Sequence, residues 1–220
     1  MATFQISRLF SGQDGKLDEA ARVMEKAMAD DGMTLTLIGG DRTKAFAMHR
    51  STLGAAALAG EIHLCHHQRA GLVGVAMWFP PGQELFSSQE QRDAGFTQLF
   101  QTFPEQLQQW WINNFLPTYA VVPVRALGEG VKTSAWHLQM IGVLPEHQGK
   151  GAGSALVRPV LEKAESQGQN VCLETNVLRN VSLYEHWGLS VQGEESFDST
   201  TGGFHVWVML KRPIAPLRVA

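Results

Sequence analysis

The stretch that most limits what this 220-residue chain can fold into is a strand-length apolar run that gives way to a glycine loop and then to a helical pattern. Trp136-His137-Leu138-Gln139-Met140-Ile141-Gly142-Val143 is rich in apolar residues and meets a turn at Leu144-Pro145-Glu146. Gln148-Gly149-Lys150-Gly151-Ala152-Gly153-Ser154 follows, with glycine at every second position, and Ala155-Leu156-Val157 begins a helix. Alternating glycines let successive backbone N–H groups turn toward one point, and the first turn of the helix adds unpaired donors and the positive end of its dipole. A phosphate or pyrophosphate is the natural guest of such a loop, although a strand-to-helix turn of this kind can also be no more than a tight connection. Two familiar glycine loops fit poorly. The dinucleotide fingerprint needs G-x-G-x-x-G where this loop reads G-x-G-x-G, and a Walker A loop needs Ser or Thr after Gly-Lys where this chain has Gly151.

A second ordered segment lies downstream. Val171-Cys172-Leu173-Glu174 reads as a strand, and Asn180-Val181-Ser182-Leu183-Tyr184-Glu185-His186-Trp187-Gly188-Leu189 as a short helix and its stop. With Gln148, Gly151 and Gly153 filling Q/R-x-x-G-x-G/A, the stretch resembles the acyl-CoA signature of the GNAT superfamily of N-acetyltransferases. Over about residues 136–197 the wording is closest to the puromycin N-acetyltransferase-like branch, with Leu189 where the family has Phe; elsewhere only the order of elements is similar.

The resemblance implies an α/β fold: a mixed, mostly antiparallel GNAT-like sheet with a splayed central parallel strand pair, helices on both faces, and a helical insertion at about 80–135. One domain would cover 1–212, with a tail at 213–220. It further implies that acetyl-CoA is the cosubstrate. The backbone of Ile141, Gly142 and Val143 would pair with pantetheine, with the Val143 N–H near the thioester oxygen. Gln148, Gly149, Lys150, Gly151, Ala152, Gly153 and Ser154 would hold the pyrophosphate, and Asn180 would lie near the pantetheine arm. Tyr184 matches the family's general acid. Glu174 is the first candidate for proton acceptor and His137 the second. Cys172 is a poor nucleophile candidate, because it sits in an apolar strand with no neighbouring base.

Composition narrows the partners. A net charge of −3 with a pI near 6.2 gives no basic stripe for nucleic acid and no polybasic membrane patch. Cys65 and Cys172 lack a framework spacing, the start Met1-Ala2-Thr3-Phe4-Gln5 lacks a signal pattern, and no eighteen consecutive residues are apolar, so a cytoplasmic protein is expected. His63, Cys65 and His67 share one strand face, but a structural zinc usually wants four ligands and no fourth is in view, so no metal is expected.

Taken in order, the chain predicts a strand at Phe4–Leu9, a helix over 16–29, a second helix from Arg42 to about Leu58 capped by Asp41, and a hairpin of strands near 61–67 and 72–79. In the insertion, Phe96, Leu99, Phe100 and Phe103, then Leu107, Trp110, Trp111 and Phe115, predict two helices parted near Pro104, the second ended by Pro117, with both tryptophans anchoring them to the sheet. A helix from the glycine loop to Gln167 should be kinked at Pro159, and a last hairpin should occupy about 189–197 and 204–211, before a poorly ordered tail after Arg212. The functional expectation is acetyl transfer from acetyl-CoA directly to the primary amine of a small molecule. Aromatic surface in the insertion points to an apolar acceptor. The competing class is a non-catalytic acyl-CoA sensor on the same fold, which the presence of Tyr184 disfavours.

Overall fold

A computed structural model of the chain describes residues 4–214. Seven strands form one sheet: β1 (Phe4–Leu9), β2 (Glu61–His67), β3 (Gly71–Phe79), β4 (Trp136–Val143), β5 (Val171–Thr175), β6 (Ser190–Phe197) and β7 (Phe204–Lys211), in the order β1-β2-β3-β4-β5-β7-β6. Every neighbouring pair is antiparallel except β4 and β5. That parallel pair is short. Trp136 faces Val171, His137 faces Cys172 and Leu138 faces Leu173, and there the pairing stops although β4 runs on to Val143. The cause lies on the other edge of β4, where Met77 and Trp78 oppose Met140 and Leu138 and leave Gln139 as an extra, bulged residue. A bulge bends its strand and sharpens the twist, so β4 turns away from β5 just where their pairing ends.

Antiparallel alternation then sets which backbone groups face the opening. Leu144 N–H donates to the Val73 carbonyl at 2.9 Å, which makes Val73 and Leu144 a hydrogen-bonded pair. Gly142 opposite Val75 is therefore bonded to β3 as well, while Ile141 and Val143 turn their N–H and C=O groups away from β3 and into the splay.

Helices cover both faces. On one face lie α8 (Ala152–Ser166) and α9 (Leu178–His186), burying Leu156, Val157, Val160 and Tyr184 against Trp136, Leu138, Leu173 and Met209. The opposite face takes α1 (Asp14–Ala27) and α3 (Ala45–Ala59) over β2 to β4. There Leu17, Ala20, Ala21 and Met24, at helical spacing, pack with Leu53, Val75, Met77 and Phe79. Further along that face the insertion packs on β6 and β7. Among the described residues no helix is long and apolar enough to cross a membrane.

The strands and the long helices agree with the sequence expectations, including the Asp41 carboxylate, which accepts from Thr43 N–H at 3.1 Å. Three details differ. A short helix α2 (Gly32–Leu37) had no periodic signal, and the stretch from Arg42 begins as a tighter 3₁₀ turn, Arg42–Lys44, before α3. The insertion holds α4 (Gln89–Asp93), α5 (Phe96–Gln101), α6 (Glu105–Trp110) and α7 (Leu116–Leu127) rather than two helices. Pro117 ends nothing, because α6 passes into α7 through a wide π turn at Trp111–Phe115, in which Leu116 N–H reaches the Trp111 carbonyl five residues back. A proline in a regular helix crowds the carbonyl four residues earlier, here that of Asn113, and the π turn moves that carbonyl out of its usual place. As expected of a proline that does not break its helix, α8 runs through Pro159 to Ser166. Of the expected tail at 213–220, all but Pro213 and Ile214 lies outside the described residues.

The insertion aromatics form a core. Phe103, Trp111 and Phe115 are buried with Phe197, Val206 and Val208. Both tryptophans tie the insertion down: the Trp111 indole N–H donates to the Leu37 carbonyl at 2.9 Å and that of Trp110 to the Asp198 carbonyl at 2.8 Å.

Gly142 shows how closely α1 presses on the splayed strand. A Cβ at this position would stand 2.8 Å from Met24 Sδ and 3.0 Å from Ala27 Cβ. Gly142→Val, although favourable for a strand, is expected to destabilise by about 1–3 kcal/mol through overpacking. Thermal unfolding should show it as a Tm drop of roughly 2–4 °C for each kcal/mol. An unchanged Tm would mean that α1 is not held against β4.

Candidate active site

The glycine loop is exposed and fastened at both ends. Gln148 donates through Nε2 to the Val143 carbonyl at 3.0 Å, and the Lys150 ammonium to the Glu146 carbonyl at 2.7 Å, so two loop side chains close the turn itself. Gly149 (φ 69°) and Gly151 (φ 91°) hold left-handed conformations that a side chain would strain. Gly151 caps α8, whose first internal bond runs from Ala155 N–H to the Gly151 carbonyl at 3.0 Å. The N–H groups of Gly151, Ala152, Gly153 and Ser154 thus have no partner within the helix and stand at its positive end. With the Val143 carbonyl already taken by Gln148, the Val143 N–H is the open donor that faces the splay.

Next to the loop stands α9. The Trp187 indole N–H donates to Ser154 Oγ at 3.2 Å, and its ring meets Tyr184 edge-on with centroids 5.3 Å apart. Tyr184 is buried, and burial pushes its phenol up to about 12, with the Thr175 side chain pulling the other way. The hydroxyl therefore sits at the end of β5, on the same face as the glycine loop, and carries its proton at neutral pH. Asn180 lies one helical turn before Tyr184 on α9 and is half-buried.

Glu174 is on the opposite face, enclosed by partners from three elements. Its Oε2 accepts from His137 Nε2 at 2.7 Å and from the Tyr119 hydroxyl at 3.2 Å, and Lys132 Nζ lies 3.2 Å from Oε1, an ion-pair distance without the alignment of a directed hydrogen bond. The Glu174 and His137 side chains are 5% and 4% exposed. Burial raises the Glu174 carboxyl, but Lys132 and His137 more than offset it and hold the group well below the usual carboxylate range. Burial, with Lys132 acting in the same direction, outweighs Glu174 and lowers His137, so the ring is neutral at neutral pH. Tyr119 is raised well above its ordinary value, first by burial and then by Glu174. A carboxylate so depressed is a weak proton acceptor. Neither Lys132 nor Tyr119 was singled out by its sequence, since each sits in the insertion without a motif. The one hint is Glu174 itself, a charge in an otherwise apolar strand that needs buried partners.

Cys172, next to this cluster, is pushed far up by burial and is no thiolate. On β2, His63 pairs with Glu61 at 3.2 Å, Cys65 belongs to the core, and the His67 ring lies 5.1 Å from that of His147. Among the described residues no three His, Cys, Asp or Glu side chains could jointly hold a metal.

The segment that holds this site is similar to known proteins. Residues 96–189 fit the Acetyltransferase (GNAT) family model. That stretch is similar to GNAT acetyltransferases. A Schizosaccharomyces pombe protein described as an uncharacterized N-acetyltransferase is 28% identical over 119 residues, 54% of this chain. The chain matches about half of that relative's length, 48%. Among solved structures, a histone acetyltransferase HPA2 and related acetyltransferase from Corynebacterium glutamicum superposes with a TM-score of 0.64 at 19% identity, covering 99% of each chain. A mosquito arylalkylamine N-acetyltransferase like 5b superposes with a TM-score of 0.61 at 14% identity, covering 96% of this chain and 100% of its own. At such identities the likeness is one of GNAT fold.

Lys132→Met keeps the aliphatic stem and removes the charge, leaving the Glu174 carboxylate buried without its cation. Denaturant unfolding at pH 7 should show a loss of about 3 kcal/mol, and adding Glu174→Gln should recover most of it. Equal stability of Lys132→Met and the parent protein would show that the carboxylate does not depend on this ammonium.

Proposed function

We propose that the protein moves an acetyl group from acetyl-CoA directly to the primary amine of a small molecule. The observation that carries this reading is the alignment of three parts of the GNAT core: the free backbone edge of β4 at Ile141 to Val143, the unpaired N–H groups of the glycine loop, and the protonated Tyr184 at the end of β5.

In this reading pantetheine lies along the β4 edge in the splay, with Asn180 beside the arm and the pyrophosphate on Gln148 to Ser154. The Val143 N–H faces the thioester oxygen and opposes the negative charge that builds there as the amine attacks. The amine nitrogen forms the N–C bond with its lone pair, the C–S bond breaks, and its electrons stay on sulfur. Tyr184 gives its proton to that thiolate, and the proton shed by nitrogen goes to water and restores Tyr184.

Glu174, committed to Lys132, His137 and Tyr119, fits better as a positioning residue that fixes the base of the splay than as the group that takes the amine's proton. The apolar-acceptor expectation loses its support, because the insertion aromatics on which it rested pack on one another. The puromycin N-acetyltransferase-like wording of residues 136–197 and the arylalkylamine acetyltransferase among the fold neighbours both favour a small-molecule amine. Two buried free cysteines suit a reducing compartment such as the cytoplasm.

Gly151→Asp adds a negative charge and a strained Cβ at the centre of the pyrophosphate site. It should weaken acetyl-CoA binding at least tenfold, about 1.4 kcal/mol by calorimetry, in protein with an unchanged circular dichroism spectrum. Unchanged affinity would remove the loop from the cofactor site. For Tyr184→Phe, thiol release with saturating amine should fall by a factor on the order of 10²–10⁴ while acetyl-CoA affinity holds. Retained turnover would reduce Tyr184 to packing.

A further inference from the structure

One more carboxylate, Asp31, stands near the end of β5. The last turn of α1 packs on Gly142 of β4, and the chain then turns to Asp31, which caps α2: its Oδ1 accepts from Thr34 N–H at 2.7 Å. Its Oδ2 accepts from Asn176 Nδ2 at 2.9 Å, and Asn176 is the residue that follows β5. Asp31 therefore bridges from the β4 side of the splay to the β5 side, across the end where Thr175 and Tyr184 stand. Its charge is felt by the Tyr184 hydroxyl and by His49 on α3.

The charge is also uncompensated. Two other enclosed carboxylates have cations: Glu174 has Lys132, and Glu61 has Arg8 and Lys163. Among the described residues no Lys or Arg comes within ion-pair distance of Asp31. A carboxylate offers about four acceptor directions, and Thr34 and Asn176 use one each. His49 provides a second unsatisfied group in the same neighbourhood, for it is fully buried and neither ring nitrogen has a partner. It is held neutral, burial taking it down to about 4. A half-buried negative group with open valences and no cation suits one positive, hydrogen-bond-donating guest.

We propose that Asp31, held by Asn176, receives the acceptor's amino group as an ammonium ion, so that the protein selects cationic primary alkylamines over neutral nitrogen nucleophiles. The inference rests on the acetyl-transfer reading above and names its substrate class. The bound ammonium gives one proton to water at the mouth before attack, and the resulting amine then forms the N–C bond as described.

Asp31→Asn is the test, because Asn caps a helix as well as Asp does and keeps an oxygen for Asn176 while losing the charge. Steady-state kinetics at pH 7.5 with saturating acetyl-CoA would compare phenethylamine, a cation, with phenylhydrazine, a neutral nucleophile of similar shape. The KM for phenethylamine should rise at least tenfold with kcat changed less than threefold, and phenylhydrazine should change less than twofold in either constant. Calorimetry of phenethylamine on protein saturated with CoA gives the same comparison without turnover. A structural part alone would alter both acceptors equally, and that result, or no change with either, overturns the proposal. Should Asp31→Asn misfold by circular dichroism, Asp31→Ser, also a good cap, carries the same comparison. If the parent protein binds acetyl-CoA but neither binds nor acetylates any amine, the acetyl-transfer reading itself fails, and the ammonium site with it.

Discussion

Everything at the site depends on β4 leaving β5 after Leu138. A parallel pair that stayed zipped to Val143 would bury the N–H and C=O groups of Ile141 and Val143 in a ladder and leave no edge for a ligand. The Gln139 bulge opens that edge at a local cost, since the freed groups must find other partners. One is found within the chain, where Gln148 bonds the Val143 carbonyl, and the same contact holds the glycine loop at the end of the strand. Opening the sheet and placing the loop are thus one structural event.

The short paired segment must be firm if the open one is to be well placed. Trp136 to Leu138 and Val171 to Leu173 carry that duty, and the buried group of Lys132, Glu174, His137 and Tyr119 crosses it from one strand to the other and to α7. A buried ion pair of this sort adds little to net stability compared with apolar packing, but removing one member is expensive. It suits a part that fixes where the insertion sits on the sheet. The insertion in turn reaches the far strands through its aromatic cluster, so the mouth of the splay is set from both sides.

Much of this was legible in the sequence, and what was not has a common cause. The glycine loop, the strand before it and the Tyr184 helix are local patterns, with spacing dictated by backbone geometry within a few residues, and all fall where they were expected. Asp31, Asn176, Lys132 and Tyr119 matter through contacts 42, 55 and 145 positions apart or through three-body arrangements that no spacing records. Likewise Phe96 and Phe100 read as available aromatic surface, since periodicity gives the apolar face of a helix but not what covers it. Pro117 misled for a related reason: the rule that proline stops a helix assumes a regular ladder, and the π turn before it is a tertiary choice that brings Trp111 and Phe115 into the core together.

The central claim is that acetyl-CoA occupies the splay as an added strand, and amide hydrogen exchange of β4 tests it most directly. With saturating acetyl-CoA the Ile141 and Val143 amides, which face the opening, should exchange at least tenfold more slowly, while Gly142, already bonded to β3, should hold its rate. Exchange of Ile141 and Val143 unchanged by bound acetyl-CoA would contradict that placement of the cofactor.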